Sequence, residues 1–125
     1  MKIGLYLDKV AMHILSRGIF VSCEPVDRIE SAQPGLVDER LSEVGTTYLV
    51  CDTEKEIQGK AKLADAFVTT YGDPDPTMLQ YMGFKDNPEK FKTEYAGLFK
   101  QQFPEDALVD ETELFVCIYE PVHDS

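Results

Sequence analysis

Residues 49–67, LVCDTEKEIQGKAKLADAF, contain an apolar run, a short charged segment and a further alternating run with a glycine inside it. The surrounding segments TYLVCDT and IQGKAKLADAFVTTY are rich in β-branched and aromatic residues, which favours two strands. The charged segment between them, residues 53–56, is typical of a solvent-exposed hairpin turn. Gly59 within a strand indicates a bulge or a sharp bend. The stretch therefore predicts an antiparallel hairpin in a sheet that curls toward closure.

Caps and hydrophobic periodicity mark the elements on both sides of this hairpin. MKIGLYL alternates apolar and polar residues and predicts a strand, after which Asp8 is placed to cap a helix that ends at Gly18. IFVSCEP predicts the next strand, and a short helical stretch that ends at Gly45 follows the turn signal Pro34-Gly35. Two helices that begin after Asp75 and Asn87, each followed by proline, and a buried strand over ELFVCIYEP complete the chain. The predicted order is β-α-β-(α)-β-β-α-α-β, an α+β arrangement without regular βαβ alternation.

Length and charge limit the classes of function. The chain has 125 residues, and 23 Asp and Glu against 12 Lys and Arg give a formal net charge of −11. This length predicts one domain, residues 1–125. No apolar run approaches the ~20 residues that span a bilayer, and the start is not typical of a signal peptide, so we expect a cytoplasmic protein without a membrane partner. The acidic surface disfavours non-specific nucleic-acid binding, and it suits solubility or a partner with a basic surface.

Cysteine and aspartate usage predicts neither a metal site nor a cofactor. Cys23, Cys51 and Cys117 are widely spaced in apolar segments without a CxxC motif, which is typical of buried free thiols in a reducing compartment. Asp73 and Asp75 in YGDPDPT offer clustered oxygens to a hard cation. Because Asp before Pro is also the ordinary device that starts a helix, we favour capping over a metal site here.

Three segments together resemble a known family. They are LYLDKVAMHILSRGIFVSCEP, TYLVCDTEKEIQGKAKLADAF and ELFVCIYEP. The opening segment is similar to the first strand, glycine-terminated helix and following acidic strand of ASCH-type domains in the PUA-like superfamily. The middle segment resembles the central hairpin of those domains, and the last segment resembles their closing strand. The resemblance covers about the whole chain and implies an α+β fold, a PUA-like, mainly antiparallel β pseudobarrel with peripheral helices.

The resemblance also implies a function. The superfamily uses a cleft between the first helix and the barrel for RNA or modified nucleotides, and some ASCH proteins resemble small amidohydrolases that act on acylated cytidine. The ASCH pattern there is G-x-K-x-x-E-x-R. RGIFVSCEPVDR keeps Gly18, but Phe20 stands where the lysine is expected and Cys23 where the glutamate is expected. Glu24 follows one position late, and Arg28 only approximates the final basic residue. These departures favour a non-catalytic binding domain over a hydrolase.

Candidate ligand-binding residues lie mostly near the predicted cleft. Glu24 is expected to accept hydrogen bonds from a base edge, or to act as general base if the protein is a hydrolase. The structural alternative for Glu24 is an ion pair with Arg28. Arg17 and Arg28 are expected to hold phosphate, and the alternative is surface charge, with Arg17 compensating the helix dipole. The complete predicted site is Lys9, Arg17, Gly18, Glu24, Arg28, Thr69 and Tyr71, with the last two at the mouth of the cleft.

Two further patterns have structural interpretations. His13 and Ser22 with an acid would form a triad, but no G-x-S-x-G turn is present, and a lone helical histidine is more typical of a solvated residue. Phe91, Tyr95 and Phe99 have a spacing that could stack bases, yet such a helical stripe more often faces the core. Three functions stay open on the sequence alone: a binding domain for RNA or a nucleotide-like ligand, a small hydrolase and an acidic protein-interaction module.

Overall fold

The computed structural model describes residues 2–54 and 56–122, so the end of the predicted tail VHDS lies outside the described residues. The order of elements follows the prediction, with one additional short helix, Val26–Ala32, before the predicted Pro34-Gly35 turn. In the described part of the chain, every helix is too short or too polar to cross a membrane. The elements are β1 (Lys2–Tyr6), α1 (Lys9–Arg17), β2 (Phe20–Pro25), α2 (Val26–Ala32), α3 (Leu36–Ser42), β3 (Thr47–Cys51), β4 (Ile57–Thr70), α4 (Pro76–Met82), α5 (Pro88–Gln102) and β5 (Glu113–Val122).

Side-chain caps start three of the helices where the sequence predicted them. The Asp8 carboxylate accepts from the backbone N–H of Ala11 at 2.8 Å and starts α1. Asp75 accepts from the backbone N–H of Thr77 at 2.7 Å, which confirms that it caps α4. The Asn87 side chain accepts from the third residue after it at 3.1 Å and caps α5. Each cap satisfies a backbone donor that the first helical turn leaves without a partner.

Five strands form one sheet in the order β1-β3-β4-β5-β2. β1 runs parallel to β3, and the remaining neighbours are antiparallel. The sheet is open, with β1 and β2 at its two edges, so the predicted curl does not reach closure. The outer edge of β2 is contacted by a helix in place of a strand, because the Tyr95 hydroxyl of α5 donates to the backbone carbonyl of Cys23 at 3.2 Å.

The β3–β4 hairpin is organised by one carboxylate. Asp52 accepts from the backbone N–H groups of Glu54 and Glu56, each at 2.9 Å. The hydrogen bond from Glu56 is the main reason that the pKa of Asp52 lies below its usual value. Val50 pairs with Gly59, and the next pair skips one residue, so the ladder is irregular directly beside the predicted glycine. The expected bulge therefore occurs, with the extra residue immediately before Gly59.

Two hydrophobic clusters lie on opposite faces of the sheet. The first lies under α1, α2 and α3, and the second lies under α4 and α5. β5 contributes alternate side chains to both clusters, which confirms the prediction of a central strand buried on both faces. A second bulge in β4, between Leu63 and Asp65, shifts by one residue the alternation of side chains between the two faces. As a result, Leu63 and Ala66 both face the first cluster, and Ala64 and Phe67 face the second.

Candidate functional site

A groove follows the outer edge of β2 and contains two of the predicted ligand-binding residues. This β2 groove has a volume of about 480 Å³, and every residue of β2 lines it. Because α1 and α5 cover opposite faces of the sheet, the groove opens where the two helical layers meet at the sheet edge. The other lining residues are Asp8, Ala11, Ile14, Arg28, Tyr95, Leu98, Phe99, Gln102 and Phe103.

Glu24 is an exposed acid of this groove, as is Asp8, whose carboxylate caps α1. Glu24 pairs with Phe115 in the β2–β5 ladder, and Ser22 pairs with Cys117, so both side chains leave the same face of β2. Ser22 is half-buried and Glu24 is exposed. Within residues 2–54 and 56–122, no hydrogen bond or ion pair occupies the Glu24 carboxylate. The groove therefore presents an acceptor that a ligand can reach.

Arg28 of α2 lies at the end of the groove and already has two partners. Its guanidinium forms an ion pair with Asp106, and its central carbon lies 3.4 Å from the ring centroid of Phe103. The side chains of Arg28 and Asp106 are 43% and 46% exposed, so the pair is solvated. The predicted alternative of a pair with Glu24 is not observed, because the carboxylate of Asp106, more distant in the sequence, takes that role. The ion pair compensates the charge of Arg28, and the stack fixes the plane of its guanidinium.

Cys23 lies on the other face of β2, under Tyr95. Burial raises the pKa of the Cys23 thiol to about 12, although a hydrogen bond with Tyr95 acts in the opposite direction. Burial also raises the pKa of Tyr95 above its usual value. A thiol with so high a pKa stays protonated at neutral pH, and the thiolate is the reactive form of cysteine. Cys23 is therefore a packing residue of the groove and not a nucleophile.

The predicted residues of α1 are placed at the two ends of that helix. Lys9 is its first residue and Arg17 its last, and both side chains are exposed. Gly18 follows Arg17, and its N–H donates to the carbonyl of Leu15 at 3.2 Å, which ends the helix. None of Lys9, Arg17 and Gly18 lines the β2 groove. A nine-residue helix is roughly 13 Å long, so Lys9 and Arg17 lie at well-separated positions, and Arg28 is the cation that lines the groove.

Thr69 and Tyr71 lie in the interior and not at the mouth of the groove. Thr69 donates its hydroxyl hydrogen to the carbonyl of Asp73 at 3.2 Å. Tyr71 is buried in the second cluster and donates to the carbonyl of Lys92 at 2.7 Å. Both hydroxyls therefore hold local structure together. Of the seven predicted residues, the groove brings together Glu24 and Arg28.

Sequence reasoning missed the part of the groove that comes from α5 and the segment after it. Phe91 and Phe99 are buried, which agrees with the predicted core stripe, but Phe99 and the half-buried Tyr95 also line the groove. The amphipathic spacing predicted the helix α5, but it did not show which of its apolar residues face the core and which line the groove. Phe103 and Asp106 follow the last helical turn, where no periodic pattern is present. Arg28 and Asp106 are 78 positions apart, and Phe103 is almost as distant, so no local signal predicts these contacts.

Two solved structures have a similar fold, at sequence identities that are informative about the fold alone. One is a DUF984 family protein from Enterococcus faecalis V583, with a TM-score of 0.63, 11% identity and coverage of 98% of this chain and 76% of that chain. The other is an ASCH domain from Lactobacillus crispatus JV V101, with a TM-score of 0.59, 12% identity and coverage of 96% and 81%. No family model and no curated protein matches the sequence significantly. The resemblance to ASCH-type domains is confirmed at the level of fold.

Proposed function

We propose that this chain is a non-catalytic binding domain that recognises a base-bearing, nucleotide-like ligand in the β2 groove. The observation that carries the proposal is the free, exposed carboxylate of Glu24 in a groove with aromatic walls. A carboxylate accepts hydrogen bonds from the amino and imino groups of a base edge. Phe20 and Phe103 on the groove walls offer ring surfaces of the kind on which unstacked bases lie.

The stack of Arg28 on Phe103 supports the same class of ligand. Guanidinium planes and aromatic rings are the two surfaces on which proteins stack single bases. Here the two planes are already in contact, at 3.4 Å from the guanidinium carbon to the ring centroid, and Asp106 holds the guanidinium in place. A base that enters the groove therefore meets a planar surface that is ordered before binding, which lowers the entropic cost of recognition.

Charge favours the base of the ligand over its phosphate. The ionisable residues that line the groove are Asp8, Glu24 and Arg28, apart from Cys23 and Tyr95, and Arg28 is paired with Asp106. A larger cleft of about 830 Å³ on the other side of Arg28 is lined by three more acids, Asp27, Glu111 and Glu113. Affinity for a phosphate backbone comes from cations that displace its counterions. We therefore propose a nucleoside or a single unpaired base as the preferred ligand, and not an RNA backbone.

The same residues give less support to the hydrolase alternative. The described lining of the groove contains no lysine, which is the residue type that the ASCH pattern places before the acid. The Cys23 thiol, with its pKa raised to about 12 by burial, is not a nucleophile near neutral pH. Glu24 and the helix-capping Asp8 are then the carboxylates of the groove that remain for general-base chemistry, and Arg28, the basic residue of the groove, is already paired with Asp106. Binding requires only the acceptor and the planar surfaces that are present.

The proposal is tested by an NMR titration of the intact chain with cytidine, adenosine, guanosine, N4-acetylcytidine and the corresponding 5′-monophosphates. We expect at least one nucleoside to shift the amide signals of Ser22, Glu24 and Leu98, and its monophosphate to bind more weakly. Glu24→Gln should weaken the binding of that nucleoside about tenfold, the effect of losing one hydrogen bond to a charged group. Glu54→Gln on the exposed β3–β4 turn is the matched control and should bind as the parent does.

Three outcomes would count against this assignment. Amide shifts confined to residues outside the groove would exclude the site. Monophosphates that bind more tightly than nucleosides would contradict the charge argument. Release of cytidine from N4-acetylcytidine, followed by chromatography and abolished in Glu24→Gln, would replace the binding domain by the hydrolase.

A further inference from the structure

Another concave site lies on the other side of α1 from the β2 groove. It has a volume of about 390 Å³ and is formed by α1 and by the adjoining ends of β3, β4 and β5. Leu15 and Val50, both buried, contribute to its walls, and the exposed Gly59 lies in β4. We call this site the Gly59 pocket. Its size is in the range of pockets that enclose small ligands.

Gly59 keeps this pocket open, and neither its backbone nor its packing requires a glycine. Its φ is not among the positive values of the chain, so the conformation suits an ordinary residue. A Cβ added at Gly59 would meet no atom within 4 Å. Besides accompanying the bulge, a strand glycine with open space at its Cβ position leaves the backbone accessible to a group from outside the chain.

The charge of the Gly59 pocket differs from that of the rest of the molecule. The chain has a net charge of −11. The described residues that line the pocket nevertheless include one charged residue, Lys60, and no acid. The nearby Asp52 carboxylate accepts from Gln58 and from the backbone of the hairpin turn, which holds it at the turn and outside the pocket lining. Lys60 has a contact within its own chain. An ammonium group has three donors, so this contact is compatible with a further acceptor.

We propose that the Gly59 pocket binds a small anionic amphiphile. The apolar body of the ligand lies over Gly59, against Leu15 and Val50, and its single negative head group contacts Lys60. An uncharged apolar molecule would bind more weakly, because it forms no ion pair with Lys60. A polyanion would also bind more weakly, because the acidic surface of the protein repels it. The site is independent of the β2 groove, because the two share no lining residue.

The test uses octanoate as the probe and 1-octanol as its uncharged counterpart. In an NMR titration of the full chain, we expect octanoate to shift the amide signals of Leu15, Gly59 and Val122. Gly59→Val should weaken the binding that causes these shifts, because its side chain intrudes into the pocket, while the remaining spectrum shows a folded protein. Lys60→Gln should weaken octanoate binding about tenfold and leave octanol binding unchanged. Lys62→Gln, an exposed lysine on the same strand outside the pocket, is the matched control.

The proposal is overturned if octanoate shifts signals elsewhere and not around Gly59, or if Gly59→Val binds it as tightly as the parent. Equal affinities for octanoate and octanol would contradict the role of Lys60, as would equal losses in Lys60→Gln and Lys62→Gln. Failure of nucleosides to bind in the β2 groove has no bearing on this result, since different amide signals report the two sites.

Discussion

The two faces of the sheet are covered in different ways. Under α1, α2 and α3, the first cluster includes Tyr48, whose hydroxyl donates to the buried carboxylate of Glu43 at 2.7 Å. Under α4 and α5, the second cluster is a chain of rings in which Phe91 lies 5.4 Å from Tyr95 and 6.5 Å from Tyr71, centroid to centroid. β5 serves both faces, so the difference comes from the helices. One face depends in part on a buried polar contact, and the other depends on aromatic packing.

The largest expected effect is the loss of aromatic packing on the second face. Phe91 is 1% exposed and contacts the rings of Tyr71, Phe84 and Tyr95. Phe91→Ala should lower the free energy of unfolding by about 3–5 kcal/mol, because it removes a buried ring and leaves a cavity. Urea denaturation followed by circular dichroism measures the change. Leu98→Ala on the same helix, 58% exposed, should change stability by less than about 0.5 kcal/mol. Similar losses in both variants would refute the division of α5 into core and groove residues.

The first face should respond more weakly to removal of its polar contact. Tyr48→Phe keeps the buried ring, which is 1% exposed, but removes the donor to Glu43. We expect a loss of about 1–2 kcal/mol, since the buried carboxylate keeps Arg40 at 3.5 Å. Denaturation of Tyr48→Phe, Glu43→Gln and the double variant gives the coupling between the two side chains. A double variant whose loss equals the sum of the single losses would show that the contact contributes nothing.

The smallest expected effect is a pH dependence of stability in the alkaline range, to which each face contributes one buried thiol. Burial raises the thiol pKa from 9.0 to about 12 for Cys23, at the second cluster, and to about 11 for Cys117, in the first. At pH values below the ordinary thiol pKa, both thiols are protonated in the folded and unfolded states, so stability does not change. Above it the unfolded chain loses these protons first, and stability falls until the folded pKa is reached. The slope is at most about 1.4 kcal/mol per pH unit for each thiol.

This dependence is measured by urea denaturation at about pH 8 and about pH 10. Cys23→Ala and Cys117→Ala should each show a smaller loss of stability between the two pH values than the parent, whatever their stability at the lower one. A loss that matches that of the parent in both variants would show that the buried thiols do not control the alkaline range. The comparison uses differences within each variant, so the cavities left by the shorter side chains cancel.

Local signals predicted the elements, and long-range contacts decided the site. The caps at Asp8, Asp75 and Asn87 and the alternation in the β3–β4 hairpin act over a few residues, so the sequence alone reveals them. Glu24 was found because it ends a strand beside a proline. Arg28 was found as well, but its partners were not, since Phe103 and Asp106 lie in an irregular segment far along the chain.

The sequence by itself determined where the strands and the helices other than α2 begin, which residues are apolar on both faces of β5, and that the surface is acidic. These properties follow from side-chain chemistry and from periodicities of two and 3.6 residues. The tertiary structure alone decided that β2 is an edge strand, that α5 contacts its outer edge in place of another strand, and that the residue after Leu63 shifts the faces of β4. The physical reason is that strand order and register depend on contacts between distant segments, which a local pattern does not encode.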